Sequence, residues 1–478
     1  MPGISFFQGG GSSLQTPLEA PTVFSAGAGN AQVSLTWTDP KDKYATPEGE
    51  QAQDPQQLVS VWAYTKIVRK VGSAPTSPND GVTVVSSSVR NQYQSAPFVD
   101  TGLTNDVMYF YGAFSFNADG VASPGTFIGA KPVAISVYGV EWNGTDTTKW
   151  TRIGASANFP DPSPAVNNGA GSSPFDNLLP WSGMVTSEDP EAGTLVAIPK
   201  FWYRWTTLNP GIRLEIADGP VDGFYVSPAH ADRGDGKGER DVVYVGRYHC
   251  VDSSYKSETG KYPNTERYHY SSRNICRNLG ENIWMWDWQM NWTIKMLYLV
   301  EFADWNSQDT IGYGCESNVV GTSINGLTDN MRYHTGTNVS SRTSYGAVQY
   351  RNIEGLWSGV YDWVDGCYYD YNGLNIINNP SDFSDDSGGT LIGKPISSAS
   401  YPSKLSIGKA YGGQWLYPIE ENGSSSTYVP DAWSFYASNN VLYVGSNSQS
   451  LTTGLFFVNY ANDVYRSDSI GYRLQKLP

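Results

Sequence analysis

Cysteine is scarce: Cys250, Cys276, Cys315 and Cys367 are the only four in 478 residues, and none forms a CxxC pair. That excludes a secreted disulfide scaffold, so the four read as free thiols in a core, with one or two bridges as the alternative. Basic charge is also short, 31 Lys and Arg against 46 Asp and Glu for a net charge of −15. No overall field gathers phosphates or anionic lipid, which speaks against a nucleic-acid or membrane-surface partner. No stretch reaches the roughly 18 uninterrupted apolar residues of a membrane helix. The opening MPGISFFQGGGSS has no basic segment followed by a long apolar one, so the expectation is a protein made without a standard export signal. Four Asn-x-Ser/Thr sequences (Asn143, Asn291, Asn338, Asn422) read as coincidence in so Asn- and Ser-rich a chain.

What the chain has instead is aromatic side chains, 14% of residues with 32 Tyr, 16 Trp and 17 Phe, together with 50 Gly and 28 Pro. With charged residues at only 16%, this is the balance of a loop-rich, mainly β protein rather than a helical or disordered one. The length is that of about three ordinary units. Residues 1–19 are Gly-, Ser- and Gln-rich around one apolar tag, Ile4-Ser5-Phe6-Phe7, which cannot bury itself and reads as an attachment arm. From Pro21 short alternating runs begin. In residues 32–37, Val33, Leu35 and Trp37 fall on one face of a strand. Further runs at 61–70, 82–86 and 107–116, separated by Pro, Gly, Asn and Asp, give the spacing of a small sandwich closing near residue 135. Both faces of 107–116 are apolar, which leaves its register open. Residues 136–478 form one long region of irregular, aromatic-rich segments. Short strands are expected at 194–204, 242–248, 441–445 and 455–459, and one helix over 290–302, where Ile294, Leu297, Tyr298, Val300 and Phe302 recur near helical spacing behind Asp287 as cap.

Two stretches carry resemblances. Ala20-Pro21-Thr22-Val23, Val33-Ser34-Leu35-Thr36-Trp37, Thr65-Lys66-Ile67-Val68-Arg69-Lys70 and Asp100-Thr101-Gly102-Leu103, leading into Tyr109-Phe110-Tyr111 and Asn117-Ala118-Asp119-Gly120, resemble a fibronectin type III domain over 20–135. That family is mostly a spacer or adhesion module, and the stretch offers no catalytic chemistry. Only the insertion at 44–57 departs from it, being long for a connection between strands. Farther on, the helix, then residues 355–366 (GLWSGVYDWVDG), Tyr411-Gly412-Gly413-Gln414-Trp415, and the run from 442 through Gly454-Leu455-Phe456 to Ile470-Gly471-Tyr472-Arg473-Leu474 occur in order. This series resembles the formylglycine-generating-enzyme-like branch of the C-type lectin fold, whose members carry a G-N-V-W-E-W-like segment and finish with G-F-R. It covers 270–478 well and 136–269 loosely. The implied fold class is therefore mainly β with an α+β C-terminal part, a fibronectin type III-like β-sandwich over 20–135 followed by a C-type lectin-like domain over 136–478. Gly471 would let the last strand pack closely, and Arg473 could offer its five donors to carbonyls of nearby loops as a staple.

Enzymes of that branch demand a nearby cysteine pair for copper, or a histidine cluster for iron. No cysteine follows Cys367, and His230, His249, His269 and His334 are scattered. The chemistry is therefore expected to be absent. In its place the candidate variable region 443–473 carries Ser446, Asn447, Ser448, Gln449, Ser450, Phe457, Asn459, Tyr460, Asn462, Asp463, Tyr465 and Arg466 as candidate ligand-binding residues. Tyr supplies rigid amphipathic area and Ser and Asn adaptable hydrogen bonds, as in antibody loops. Set between Gly454, Leu455, Phe456, Ile470 and Gly471, the segment resembles the variable C-terminus of receptor-binding proteins diversified by retroelements, of the phage major-tropism-determinant type. That resemblance implies a non-enzymatic phage tail fibre or receptor-binding protein. It would be a homotrimer assembled in the host cytoplasm into the virion, bound to other tail or baseplate proteins through its N-terminus and to a host-surface glycan or protein through its head. A formylglycine-generating-type oxidase and a bacterial surface adhesin are the alternatives.

Weaker signals read as structure first. Residues 232–241 (DRGDGKGERD) and 381–389 (SDFSDDSGG) space oxygen ligands for a structural Ca²⁺, without the glycine and final glutamate of an EF-hand, and read as solvated loops. No other cofactor is implied. Arg233-Gly234-Asp235 is a chance tripeptide, and Trp284, Trp286, Trp288 and Trp292 read as core rather than as a sugar platform.

Overall fold

The computed structural model describes residues 16–45, 57–314, 324–396, 400–435, 440–446 and 453–478. The chain is a mainly β protein of several antiparallel sheets and few helices, and divides into two compact units, one ending at Ile135 and one beginning at Ser136.

In the first unit, Thr22–Gly29, Gln32–Thr38 and Phe98–Thr101 form one sheet, and Val82–Ser87, Trp62–Val71, Tyr109–Asn117 and Thr126–Ala130 form another. Strict alternation in Gln32–Thr38 sends Val33, Leu35 and Trp37 inward, where they meet Ile67, Tyr109, Tyr111 and Ala113 of the second sheet in one core. The two apolar faces of Tyr109–Asn117 are thereby sorted. Tyr109, Tyr111 and Ala113 enter the shared core, while Phe114 meets Phe127 edge-to-face at 5.8 Å on the other side. Lys43–Ala45 pairs with Gln57–Ser60, and most of the long insertion between them lies outside the described residues.

The second unit is organised around α1 (His269–Arg277) and α2 (Trp288–Phe302). Every residue of α2 is buried, so it is a core helix rather than a surface one. Asp287 caps it, its carboxylate accepting the Met290 N–H at 2.8 Å. The same buried carboxylate receives Arg233 at 2.6 Å and Gln475 at 2.8 Å. Arg233 is therefore fully buried, which takes the arginine of the Arg-Gly-Asp tripeptide off the surface, while Gly234 is exposed and Asp235 half-buried. Trp286, Trp288 and Trp292 are core residues, as are the free thiols Cys250, Cys276 and Cys367; Cys315 lies outside the described residues.

Three of the second unit's five sheets pack against these helices. One has the order Thr151–Gly154, Val137–Trp142, Ile212–Ala217, Trp202–Thr207, Tyr225–Val226, and a second the order Thr186–Asp189, Gly193–Pro199, Val242–Gly246, Leu474–Lys476, Ile283–Met285. The single strand expected over 194–204 is thus two strands in different sheets, parted at Pro199, whose missing N–H suits a strand end. The third sheet runs Thr390–Gly393, Leu374–Ile376, Tyr361–Tyr369, Asn440–Gly445, Val458–Ala461, with Ile470–Tyr472 parallel to Tyr361–Tyr369. The strand expected at 455–459 begins only at Val458, because 453–457 form a buried turn.

Candidate binding surface

The third sheet carries the C-terminal polar-aromatic segment. Asn440–Gly445 pairs with Tyr361–Tyr369 on one side and Val458–Ala461 on the other, and Val441, Leu442 and Val444 are buried. From the end of Val458–Ala461 the chain turns outward. Asn462, Asp463, Val464, Tyr465 and Arg466 are all exposed, and the turn is closed by the Tyr465 N–H donating to the Asn462 carbonyl at 3.0 Å. It returns through Ser467, whose carbonyl accepts the Glu266 N–H, and Ser469, whose carbonyl accepts the Tyr361 N–H, both at 2.9 Å. A projecting turn is thus pinned at both ends to regular structure.

Register decides which neighbours join it. Tyr443 pairs with Asn459 and with Trp363, which puts these three side chains on one face. Tyr361 stacks near Phe457 at 5.4 Å and meets Tyr443 at 5.1 Å. Burial pushes the Tyr443 phenol well up, and the neighbouring Tyr361, Tyr465 and Tyr460 add to it. Beyond the turn, the Arg466 guanidinium lies 5.4 Å over the ring of Tyr268, which stacks on the exposed Tyr270 at 5.6 Å.

The candidate residues separate accordingly. Asn462, Asp463, Tyr465 and Arg466 stand on the exposed turn, and Asn459 is half-buried beside Tyr443. Two others, Ser446 and Phe457, must be corrected. Ser446 is fully buried, accepting the Thr453 hydroxyl at 2.5 Å. Phe457 is 6% exposed within the ring cluster. Tyr460 is half-buried; it pairs with Leu442, so it faces the opposite side of the sheet from Asn459, with part of its ring against the main core. Asn447, Ser448, Gln449 and Ser450 lie outside the described residues. Sequence reasoning missed Tyr268, Tyr270, Tyr361 and Tyr443. Tyr361 reads from sequence only as part of the 355–366 series and Tyr443 only as the first residue of the 443–473 region, and Tyr268 and Tyr270 lie some 200 residues earlier in the chain.

One group of metal-ligating atoms occurs among the described residues: His269, Asp365 and Asp385, within 4.8 Å of one another. It already holds a cation, because Arg273 donates to Asp365 through Nε at 2.8 Å and Nη2 at 2.7 Å and also bonds Asp385. Burial alone would raise the Asp385 carboxyl, but His269 and Arg273 hold it well below the usual range. The 381–389 loop is therefore tied down by protein side chains through Asp385. In the 232–241 loop, Asp232 accepts the Gly234 N–H, and Asp235 accepts the Lys237 N–H and pairs with Arg240.

No protein-family model matches the chain, and no curated protein matches it.

Proposed function

We propose that this chain is a phage tail receptor-binding protein that acts by adhesion, not catalysis. In this reading a fibronectin type III-like spacer carries a C-type lectin-like head, and the head presents a diversified Tyr-, Ser- and Asn-rich surface to a glycan or protein on the host. The observation that carries it is the exposed turn 462–466 rooted in a sheet whose interior is closed. Residues on such a turn can change without disturbing packing, which is what a surface of changing specificity requires. The half-buried tyrosines 361 and 443 and the exposed Tyr270 extend the aromatic area beside it. Trimerisation, attachment through residues 1–19 and residence in the virion belong to the same proposal, and avidity of about 10²–10⁴ would follow from several linked heads.

The test is adsorption of labelled protein to a panel of bacterial strains. The combined substitution Asn462→Ala, Asp463→Ala, Tyr465→Ala and Arg466→Ala should abolish binding to any strain the parent recognises and leave the melting temperature within about 2 °C, as surface changes do. Undiminished adsorption would refute the assignment of this turn.

A further inference from the structure

A cavity of about 270 Å³ opens in the second unit and shares no residue with the 462–466 turn. One wall is the turn between Trp202–Thr207 and Ile212–Ala217, closed by the Leu208 N–H donating to the Gly211 carbonyl at 2.9 Å. Another is the open end of the hairpin formed by Lys404–Ala410 and Gly413–Glu420. Gly144 and Tyr428 complete the enclosure, and the Tyr428 N–H donates to the Asp146 carbonyl at 3.2 Å. Backbone contact fixes these walls. Gly144 and Gly211 have φ of +68° and +99°; a Cβ on Gly144 would stand 2.9 Å from the Gly211 nitrogen, and one on Gly211 would overlap the Trp142 carbonyl oxygen. Only glycine allows this approach, so the cavity is built into the fold.

Its lining offers two kinds of surface. Trp142, Ile212 and Leu405 are buried, and the half-buried Tyr428 ring meets Trp142 edge-to-face at 6.3 Å. The Trp142 indole N–H is committed to the Thr147 carbonyl at 2.8 Å, which leaves that residue only apolar surface to offer. Polar groups lie beside these. Lys404 donates one N–H to Glu420 at 2.8 Å, so two ammonium donors and the second carboxylate oxygen stay open to a ligand. The side-chain amides of Asn209 and Asn422 and the Tyr428 hydroxyl make no hydrogen bond among the described residues. Among those residues the lining holds one cation and one anion, Lys404 and Glu420, and they are paired with each other.

We infer that this cavity binds one ring of a neutral saccharide. A pyranose carries C–H groups on its faces, which need aromatic or aliphatic surface, and hydroxyls around its edge, each both donor and acceptor. Trp142, Tyr428, Ile212 and Leu405 supply the first surface. The two asparagine amides, the Glu420 carboxylate and the Lys404 ammonium supply donors and acceptors together for the second. Because the two charges are already paired, a phosphate, carboxylate or ammonium ligand would find no unmatched partner charge to offset its loss of water. At about 270 Å³ the space falls just below the roughly 300–1,000 Å³ of drug-sized ligand sites, so it admits a single ring rather than a chain of them. The inference holds whatever the 462–466 turn binds, and so stands apart from the receptor-binding reading.

Saturation-transfer difference NMR on the full-length protein tests it. The probes are the methyl glycosides of glucose, galactose, mannose, N-acetylglucosamine and N-acetylgalactosamine, with glucuronate and glucose 6-phosphate as charged counterparts. At least one neutral glycoside should receive saturation, and the charged counterparts should receive less. Asn422→Ala and Glu420→Ala, both at exposed positions where the fold tolerates change, should each weaken binding about threefold to tenfold, as loss of a hydrogen bond does. No saturation transfer to any neutral glycoside overturns the site. So does a charged counterpart that binds more tightly than the neutral sugars, or binding that is unchanged in both variants. The readout is sugar binding by the purified chain, so its failure is distinguishable from a failure of strain adsorption through the 462–466 turn.

Discussion

Arg473 is fully buried, and its donors close on three carbonyls: Gly246 and Arg247 through Nη1, both at 2.8 Å, and Glu354 through Nη2 at 2.7 Å. Nε faces the Asp362 carboxylate at 3.4 Å. Two separate stretches of backbone, at 246–247 and at 354, are thus tied together by one side chain that follows a strand of only three residues. Arg473→Met should destabilise the second unit by about 3–5 kcal/mol, because it removes the guanidinium from the buried Asp362 carboxylate, which among the described residues keeps only His249 at 3.4 Å, and takes a donor from three buried carbonyls. Arg473→Lys should recover little, since an ammonium cannot fork between carbonyls on different strands. Urea unfolding midpoints check both. That an arginine in this ending would satisfy carbonyls was legible from its donor count. Which carbonyls was not, because they lie more than 100 residues earlier. Gly471 likewise reads from sequence as a close-packing position, and its missing Cβ would stand 3.0 Å from Val360.

At the scale of elements, legibility followed the chemistry of the buried face. Residues of α2 are largely apolar behind an acidic cap, so helix and cap could both be read. The buried residues of α1 are His269, Ser272, Arg273 and Cys276, which have helical spacing but no apolar stripe. Its inward face is held by ion pairs with Asp365 and Asp385, partners that only the tertiary structure supplies. The candidate surface divides in the same way. Composition marked the polar turn 462–466, whereas the fates of Ser446, Phe457 and Tyr460 depend on strand register and turn packing, which composition does not encode. Register therefore makes a prediction that composition would not. Tyr460→Ala should cost about 1–3 kcal/mol through lost core contact, while Tyr465→Ala should change stability by no more than about 0.5 kcal/mol. Chemical denaturation of the two single variants separates them, and equal losses would mean that the Leu442–Tyr460 register is wrong.

For the whole molecule, the two units bury separate cores. Among the described residues, the large cluster draws on side chains from Tyr138 to Leu477, the smaller one on side chains from Val33 to Ala130, and neither includes a residue of the other unit. A unit with its own closed core and paired backbone meets the requirements for folding alone. The second unit also contains both ends of its chief internal ties, Arg473 with Gly246 and Glu354, Arg233 with Asp287, and Glu301 with Arg351. A protein spanning residues 136–478 should therefore show dispersed amide resonances and a single cooperative unfolding transition. The transition seen when the full chain is heated should divide into two parts, and removing residues 1–135 should delete one of them. Strain adsorption by the 136–478 piece should persist at lower apparent affinity if the missing residues supply only attachment and spacing. Broad, poorly dispersed resonances from that piece would show that its core is incomplete without the first unit.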